Sequence, residues 1–214
     1  MATLTVSGHA LTLLPEKAAF LEDFRTLLVA DAHIGKAVSF RSLGVPVPRG
    51  TTTENLNLLT RLVERTGAVR IVFLGDFLHS KHSHATQTLG ALARWREQHA
   101  GIALTLVRGN HDDRAGDPPA SLGFSVVDEP FVFGGLALCH HPVEYDGFYA
   151  VAGHLHPCVN LGGRANDTLR LPCFHFGPRL AVLPAFGSFT GMHPIRRQEG
   201  DRIFAVADDQ VAEV

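Results

Sequence analysis

The chain has 214 residues, 45% of them hydrophobic and 19% charged, which is an ordinary composition for a globular protein. Its formal net charge of −2 gives no global electrostatic argument for a nucleic-acid partner, although a metal site supplies positive charge locally. No apolar run approaches the roughly 20 residues of a membrane span, and the N-terminal stretch lacks the basic leader and apolar core of a signal peptide. We therefore expect a cytoplasmic protein without a membrane partner.

Cysteine and histidine are the informative residue types. The three cysteines, Cys139, Cys158 and Cys173, lie in or beside apolar runs, which favours reduced thiols and packing roles over a disulfide framework. The thirteen histidines are the unusual feature of the composition. Because histidine is the commonest metal ligand, the positions of these residues decide whether the excess has a meaning.

The first half of the chain alternates between predicted strands and helices. Apolar runs predict strands at Thr3–Val6, Ala10–Leu14, Arg25–Ala30, Val69–Leu74 and Ile102–Val107. The pattern Thr51–Glu54 (TTTE) is a capping box that opens one helix, and apolar residues at helical spacing over Ala85–Trp95 indicate another. Between the first two motifs, Lys36–Gly50 is predicted to be a loop that contains prolines. The alternation of strand and helix indicates parallel strands.

The second half of the chain is rich in short apolar runs separated by turn residues. The runs predict strands at Phe124–Val127, Phe131–Phe133, Leu136–Cys139, Tyr149–Ala152, Cys173–Phe176, Leu180–Leu183 and Ile203–Val206. Helical stripes are scarce there, and no linker or repeat divides the chain. The simplest architecture is a single α/β domain over residues 1–214, with two sheets face to face.

Clusters of polar residues follow five of the predicted strands. They are Asp31–His33, Gly75–His79, Gly109–Asp112, His140–His141 and Gly153–His156. Because ligands bind beyond the carboxyl ends of strands in open α/β sheets, these clusters converge if the strands are neighbours. Each cluster alone has a plainer explanation, such as a turn at Gly109–Asp112. Their ordered co-occurrence favours a metal site.

Taken as an ordered set, these motifs resemble the signature of the calcineurin-like metallophosphoesterases, from about residue 26 to residue 156. The motifs are Asp31-x-His33, Gly75-Asp76-x-x-His79, Gly109-Asn110-His111-Asp112, His140 and Gly153-His154-x-His156. The resemblance implies a four-layer αββα sandwich with a binuclear metal site at the sheet edge. It implies that one metal ion is held by Asp31, His33 and His156. The other ion would be held by Asn110, His140 and His154, with Asp76 bridging the two. Carboxylate, imidazole and amide-oxygen ligands suit Mn²⁺, Fe or Zn.

The same resemblance implies chemical roles for three further residues. His111 is expected to face the phosphate, stabilise developing charge and protonate the leaving oxygen, while two metal ions activate a bridging water for in-line attack. Asp112 is expected to hold the other ring nitrogen of His111, with a turn or helix cap as the alternative. The Asp-x-x-His form of the second motif is similar to that of the nuclease branch typified by SbcD, so His79 is expected to contact the substrate phosphate.

Longer stretches of the chain, up to about residue 191, resemble a bacterial subfamily, the ligase-associated DNA-damage-response endonucleases of the PdeM type. The stretches are Asp31–Lys36, Phe40–Thr51 and Pro184–Gly191. This resemblance implies a manganese-dependent phosphodiesterase and DNase, encoded with a helicase and a DNA ligase in repair clusters. A phosphoesterase acting on a small molecule is the alternative. A scaffold without catalysis is disfavoured because no ligand position is missing.

Basic residues beside the motifs are candidates for phosphate contacts, with a solvated surface charge as the alternative for each. They are Lys36, Arg41, Arg49, Lys81 and the pair Arg196–Arg197. His141 directly follows a ligand position, and the sequence leaves open whether it supports the ligand, contacts substrate or is merely exposed. No platform of interleaved aromatic residues, of the kind that binders of single strands use, is evident. Families with this fold often form homodimers, but no apolar stripe identifies an interface.

Overall fold

The first sheet has seven strands that follow one another in chain order. The computed structural model describes residues 1–47, 50–162 and 168–214. The strands are β1 (Ala2–Val6), β2 (His9–Leu14), β3 (Ala18–Leu21), β4 (Thr26–Ala30), β5 (Arg70–Leu74), β6 (Ala103–Val107) and β7 (Phe124–Val127). Strands β1 to β4 are antiparallel, and β4 to β7 are parallel. The parallel strands therefore end at the same edge of the sheet.

The second sheet contains nine strands from the C-terminal half. They are β8 (Phe131–Phe133), β9 (Leu136–Leu138), β10 (Tyr149–Ala152), β11 (Pro157–Gly162), β12 (Thr168–Phe176), β13 (Leu180–Val182), β14 (His193–Pro194), β15 (Arg202–Ala207) and β16 (Gln210–Glu213). Strand β10 runs parallel to both β9 and β13. The ends of β9 and β10 consequently lie side by side.

Two amphipathic helices cover one face of the first sheet. They are α2 (Thr51–Thr66) and α3 (Thr86–Gln98); two shorter helices are α1 (Lys36–Ser42) and α4 (Asn110–Ala115). The buried stripe of α2 includes Leu59, and that of α3 includes Trp95; both pack against Phe73 of β5 and its neighbours. The indole Nε1 of Trp95 donates a hydrogen bond of 3.1 Å to Thr60 Oγ1, which ties the two helices together.

The two sheets pack face to face through the opposite faces of their strands. Residues next in sequence to the helix-facing ones, such as Leu28 and Val72, belong to the same buried cluster as Phe174 and Phe204 of the second sheet. The predicted α/β fold with two facing sheets is confirmed. A small buried cluster of the second sheet, which includes Cys139, packs near Tyr145. All three cysteines are buried and unpaired.

Two local predictions between the first motifs are wrong. The stretch predicted as a loop contains α1, because Ala37 and Ser39 bury one side of this short helix. The predicted capping box does not form: α2 begins at Thr51, Gly50 occupies the N-cap position, and no side chain caps the helix. No helix among the described residues has the length and apolar character needed to cross a membrane.

Phe73→Ala is expected to lower the free energy of unfolding by about 3–5 kcal/mol, because Phe73 is 1% exposed and its ring centroid lies 4.8 Å from that of Phe77. The matched control is Phe148→Ala, whose ring is 37% exposed and which should cost less than about 1 kcal/mol. Urea denaturation measures both values. Equal losses for the two variants would contradict the placement of the core.

Candidate metal centre

The five polar clusters meet beyond the carboxyl ends of the strands that precede them, at one end of the two packed sheets. Beyond the strands, the chain segments that follow β4 and β5 stay paired, since the N–H of His33 donates to Asp76 O over 2.8 Å. In the second sheet, the N–H of Gly153 donates to His140 O over 3.1 Å. The segment after β10 reaches across to the first sheet, where the N–H of His154 donates to Asp31 Oδ2 over 2.8 Å. The predicted convergence is therefore what the fold produces.

The backbone is strained at most of the predicted ligands. In the described residues, ten non-glycine residues have a positive φ, and five of them are predicted metal ligands. Their φ values are 52° for Asp31, 45° for His33, 50° for Asp76, 71° for His154 and 50° for His156. Left-handed conformations cost energy in residues with a side chain, and they persist where the surrounding structure enforces them, often at functional sites. Here they turn consecutive side chains towards one centre.

Two glycines are required by the crowding of the centre. A Cβ atom on Gly75, which has a φ of 76°, would lie 2.1 Å from Nδ1 of His140. A Cβ atom on Gly153 would lie 2.7 Å from Oδ2 of Asp31. The glycines that precede the second and last motifs therefore let the ends of β5 and β10 approach the ligands of the neighbouring strands.

Two carboxylates are buried at the bottom of the centre. Asp31 is 0% exposed and Asp76 is 3% exposed. The N–H of His111 donates to Asp76 Oδ1 over 2.9 Å. In contrast, Asp31 Oδ1 is the one buried side-chain oxygen or nitrogen of the described residues without a hydrogen-bond partner. An unpaired buried carboxylate oxygen is costly, so a bound cation fits this position.

Each of two histidines donates its Nδ1 proton to a backbone carbonyl. His140 Nδ1 lies 3.1 Å from Leu74 O, and His156 Nδ1 lies 3.1 Å from Gly191 O. Because a carbonyl only accepts, each neutral ring presents a lone pair at Nε2. The lone pair of His140 faces Asn110 Oδ1 at 3.0 Å, which is also an acceptor. Two acceptors that face each other repel, and a cation bound between them would remove the repulsion. The carbonyl partners orient the two rings in the way that is usual at metal sites.

The seven predicted ligands form two groups that share one carboxylate. The potential ligand atoms of Asp31, His33 and His156 lie within 4.8 Å of one another. In the other group, His154 Nδ1 lies 3.0 Å from His140 Nε2, beside Asn110. Asp76 is between the groups, with Oδ2 3.9 Å from His33 Nε2 and Oδ1 3.5 Å from His140 Nε2. The donor set of carboxylate, imidazole and amide oxygens suits two divalent cations.

Burial keeps several imidazoles of the centre neutral. It lowers the pKa of His33 and of His154, and it lowers the pKa of His79 to about 4. The main cause is the removal of water, which disfavours the charged ring. The charge of Lys36 also lowers the pKa of His33 and His79, whereas the carboxylates of Asp31 and Asp76 act to raise that of His154. A neutral imidazole is the form that binds metal.

His79 and His111 lie together at the mouth of the centre. Their rings stack with centroids 5.0 Å apart and an angle of 21° between the planes. His111 Nε2 lies 3.9 Å from Asp76 Oδ2, and its side chain is 31% exposed. His111 Nδ1 donates to the carbonyl oxygen of His79 over 2.8 Å. The second ring nitrogen therefore points to the buried carboxylate, where a substrate would sit.

The expectation that Asp112 holds the ring of His111 is wrong. The carboxylate of Asp112 is 0% exposed and accepts from the N–H groups of Leu78 and Gly109, each over 3.1 Å. Asp112 lies in the first turn of α4, so its side chain points back to the start of the helix and caps it. Burial raises the pKa of Asp112 to about 6. The alternative of a helix cap is the one that the structure contains.

Glu129 is a supporting residue that the sequence motifs do not reveal. Its Oε2 accepts from the N–H groups of His140 and His141 over 2.8 and 2.9 Å, and its Oε1 lies 2.6 Å from Nδ1 of His141. The antiparallel pairing of β8 with β9 places Glu129 opposite His140. No motif surrounds Glu129, and only the register of that hairpin would have pointed to it. His141 is thus held by a carboxylate at the edge of the centre.

The basic candidates are placed unequally. Lys36 is half-buried at the start of α1, where burial lowers its pKa while the charges of Asp31 and Asp76 act to raise it. Arg41, on the same helix, donates from Nη1 to the carbonyl oxygen of Val47 over 3.4 Å.

Further candidates lie away from the ligands. Lys81 is exposed in a 3-10 turn, Lys81–His84, and the pair Arg196–Arg197 is exposed near β15. Arg49 lies outside the described residues. Among the described candidates, Lys36 is the one whose charge interacts with His33, Asp31 and Asp76.

Known proteins are similar to this chain in sequence and in fold. A solved structure described as the nuclease MPE of Pseudomonas putida is similar, with 39% identity and a TM-score of 0.88 over 100% of this chain and 99% of that chain. The E. coli phosphoesterase Yfce is 14% identical with a TM-score of 0.43 over 88% of this chain and 97% of that chain, a likeness too weak to carry an argument. No curated protein matches. Residues 24–201 match the family model of the calcineurin-like phosphoesterases, and the chain belongs to this metal-dependent family.

Proposed function

We propose that this chain is a phosphodiesterase that depends on two metal ions and acts as a DNA endonuclease in repair. The observation that carries the proposal is the centre itself. Two carboxylates are buried there, one of their oxygens has no hydrogen-bond partner among the described residues, and Nε2 of His140 faces the amide oxygen of Asn110, an arrangement that bound cations would stabilise. Membership of the calcineurin-like phosphoesterases supports hydrolysis of a phosphoester bond. The likeness to a nuclease over the whole chain supports a nucleic-acid substrate.

The metal ligands would divide into two sets around Asp76. Asp31, His33 and His156 would hold one ion, and Asn110, His140 and His154 the other. Mn²⁺ suits the mixed oxygen and nitrogen ligands, and Fe and Zn are alternatives. Two bound ions supply electrostatic polarisation of the phosphate and activation of a water for in-line attack.

The chain's own contribution to the chemistry comes from the pair of histidines at the mouth. Because His111 donates its Nδ1 proton to the carbonyl of His79, a second proton on His111 sits at Nε2, which faces the centre. From there it stabilises charge on the phosphate and passes to the leaving oxygen. The ring of His79 stacks on His111 and contacts the phosphate from the same side. Lys36, at the rim, adds a positive charge for the substrate.

The cellular setting of the proposal follows from the subfamily resemblance. A cytoplasmic enzyme working with the helicase and DNA ligase of a repair cluster, alone or as a homodimer, is consistent with the absence of a long apolar helix among the described residues.

Assays of the purified protein with Mn²⁺ test the substrate. We expect nicking of plasmid DNA and hydrolysis of bis-p-nitrophenyl phosphate, with slower hydrolysis of the monoester. Cleavage of the small diester with every form of DNA left intact would favour the small-molecule alternative.

Asp76→Asn is expected to remove nearly all activity, by at least about 10³-fold, and to reduce the bound metal, because both ions would lose a charged ligand. Metal content by mass spectrometry and the rate on bis-p-nitrophenyl phosphate are measured together. The control is Asp113→Asn, an exposed carboxylate on α4 whose loss should change neither quantity. A variant at Asp76 that keeps two ions and most of its activity would refute the bridging role.

His111→Ala is expected to retain both metal ions but to lower turnover by about 10²-fold, the usual size of a general acid's contribution. The loss should be larger for DNA, whose leaving group is a basic alkoxide, than for p-nitrophenyl diesters, whose leaving group needs little protonation. Rates on both substrates and metal content are compared with those of the unmodified protein. If the variant instead lost metal, His111 would be a ligand and the assignment of the seven ligands would be wrong.

A further inference from the structure

The loop Leu183–Met192, between β13 and β14, lies against the metal centre and is anchored to it in two places. The N–H of Gly187 donates to Asp31 O over 3.1 Å. Gly191 O accepts the Nδ1 proton of His156 over 3.1 Å. A Cβ atom on Gly187 would lie 2.5 Å from Ala32 O, which shows how closely the loop follows the first motif. The tip of the loop is therefore held beside the predicted ligands.

Phe189, at this tip, is an exposed aromatic ring next to the reaction centre. It is 53% exposed, and its φ of 59° is unusual for a bulky residue. Phe189 borders a cavity that includes His156 on one side and a narrow polar cleft that includes His33 on the other. An aromatic face in this position offers a stacking surface for a nucleic-acid base, and the sequence motifs had not indicated one.

Lys17 lines the cavity next to Phe189. The cavity has a volume of about 180 Å³, several times the roughly 30 Å³ that one water occupies in the liquid, and it opens beside His156. Lys17 lies in the turn between β2 and β3, and its Nζ is 3.4 Å from Gly187 O. Ser188 and Thr190 add polar groups to the same wall. The cavity has room for a charged group of a substrate.

Among the residues that the structure describes, none pairs a carboxylate with the ammonium group of Lys17. The neighbouring carboxylate of Glu16 accepts two hydrogen bonds from the guanidinium of Arg65, over 2.7 and 2.6 Å. Within residues 1–47, 50–162 and 168–214, no ion pair includes Lys17, and the carbonyl of Gly187 is its one hydrogen-bond partner. Burial lowers the pKa of Lys17 to about 8, because removal of water disfavours the charged ammonium. An anionic ligand would supply a counter-ion.

We propose that Phe189 and Lys17 form a nucleotide-binding subsite beside the metal centre, in which Phe189 stacks on a base and Lys17 binds the backbone phosphate next to the one that is cleaved. The inference rests on the proposed function and specifies its substrate as a polynucleotide. Stacking on Phe189 tolerates any sequence because every base has a π face. A monoester or a small diester has no second phosphate for Lys17.

Fluorescence anisotropy with a labelled oligothymidylate, and with its abasic analogue, tests the two contacts separately. The full chain is loaded with Ca²⁺, and a gel confirms that the oligonucleotide stays intact. Phe189→Ala should weaken binding of the oligothymidylate about tenfold and leave binding of the abasic strand unchanged. Lys17→Ala should weaken binding of both strands and reduce the slope of log Kd against log salt by about 0.7, the value for one phosphate contact on a single strand.

Conservative variants and a distant charge provide the controls. Phe189→Trp and Lys17→Arg should bind like the unmodified protein, because they retain the stacking surface and the charge. Arg179→Ala removes one positive charge at the start of β13, at the opposite end of this sheet from the ligands, and should have no effect. Equal melting temperatures would show that each variant folds.

The outcomes distinguish this subsite from the proposed activity. An unmodified protein that binds the strand as described but cuts no DNA with Mn²⁺ would refute the endonuclease and leave the subsite standing. A protein that cuts DNA while Phe189→Ala and Lys17→Ala bind both strands normally would refute the subsite alone. Equal weakening of the two strands by Phe189→Ala would assign it a structural role and also contradict the inference.

Discussion

The burial of two carboxylates between two sheets is the constraint on which the rest of the site depends. Asp31 and Asp76 are almost completely removed from water, and Asp31 Oδ1 has no hydrogen-bond donor in the described residues. Potential ligand atoms of these two carboxylates lie within 4.8 Å of each other. Two buried negative charges at this separation destabilise a fold unless cations compensate them. His140 and His156 donate their Nδ1 protons to backbone carbonyls, which leaves Nε2 of each ring to face these carboxylates. The buried charges therefore raise the free energy of the metal-free site, and bound cations would lower it.

The fold keeps this arrangement in place by strain and by backbone hydrogen bonds. Five ligands have left-handed backbones, and two glycines make space where the strand ends cross. The N–H groups of His111 and His154 each donate to one of the buried carboxylates. Because each of these bonds joins different motifs, loss of one ligand is expected to disturb the others. A site organised before substrate arrives spends little of its binding energy on ordering.

The sequence predicts the centre better than it predicts the surroundings. Strands, long helices and polar motifs are visible as local patterns in the sequence. The predictions that rest on them, namely the α/β fold, α2, α3 and the convergence of the five clusters, are confirmed. Contacts between distant segments leave no local pattern. Glu129 reaches His140 only through the β8–β9 hairpin, and Lys17 and Phe189 line one cavity only in the folded chain. Asp112 was assigned wrongly because resemblance gave it a role in catalysis, whereas its position in the first turn of α4 makes it a cap. The short helix α1 was missed because tertiary burial of Ala37 and Ser39, rather than local propensity, supports it.

A crystal structure of the protein loaded with Mn²⁺, with anomalous diffraction to locate the ions, tests the central claim most directly. The account predicts two anomalous peaks per chain, both in contact with Asp76, one beside His33 and His156 and the other beside His140 and His154. His111 should contact neither peak. A single peak, or a peak held instead by His33, His79 and His111, would contradict the account.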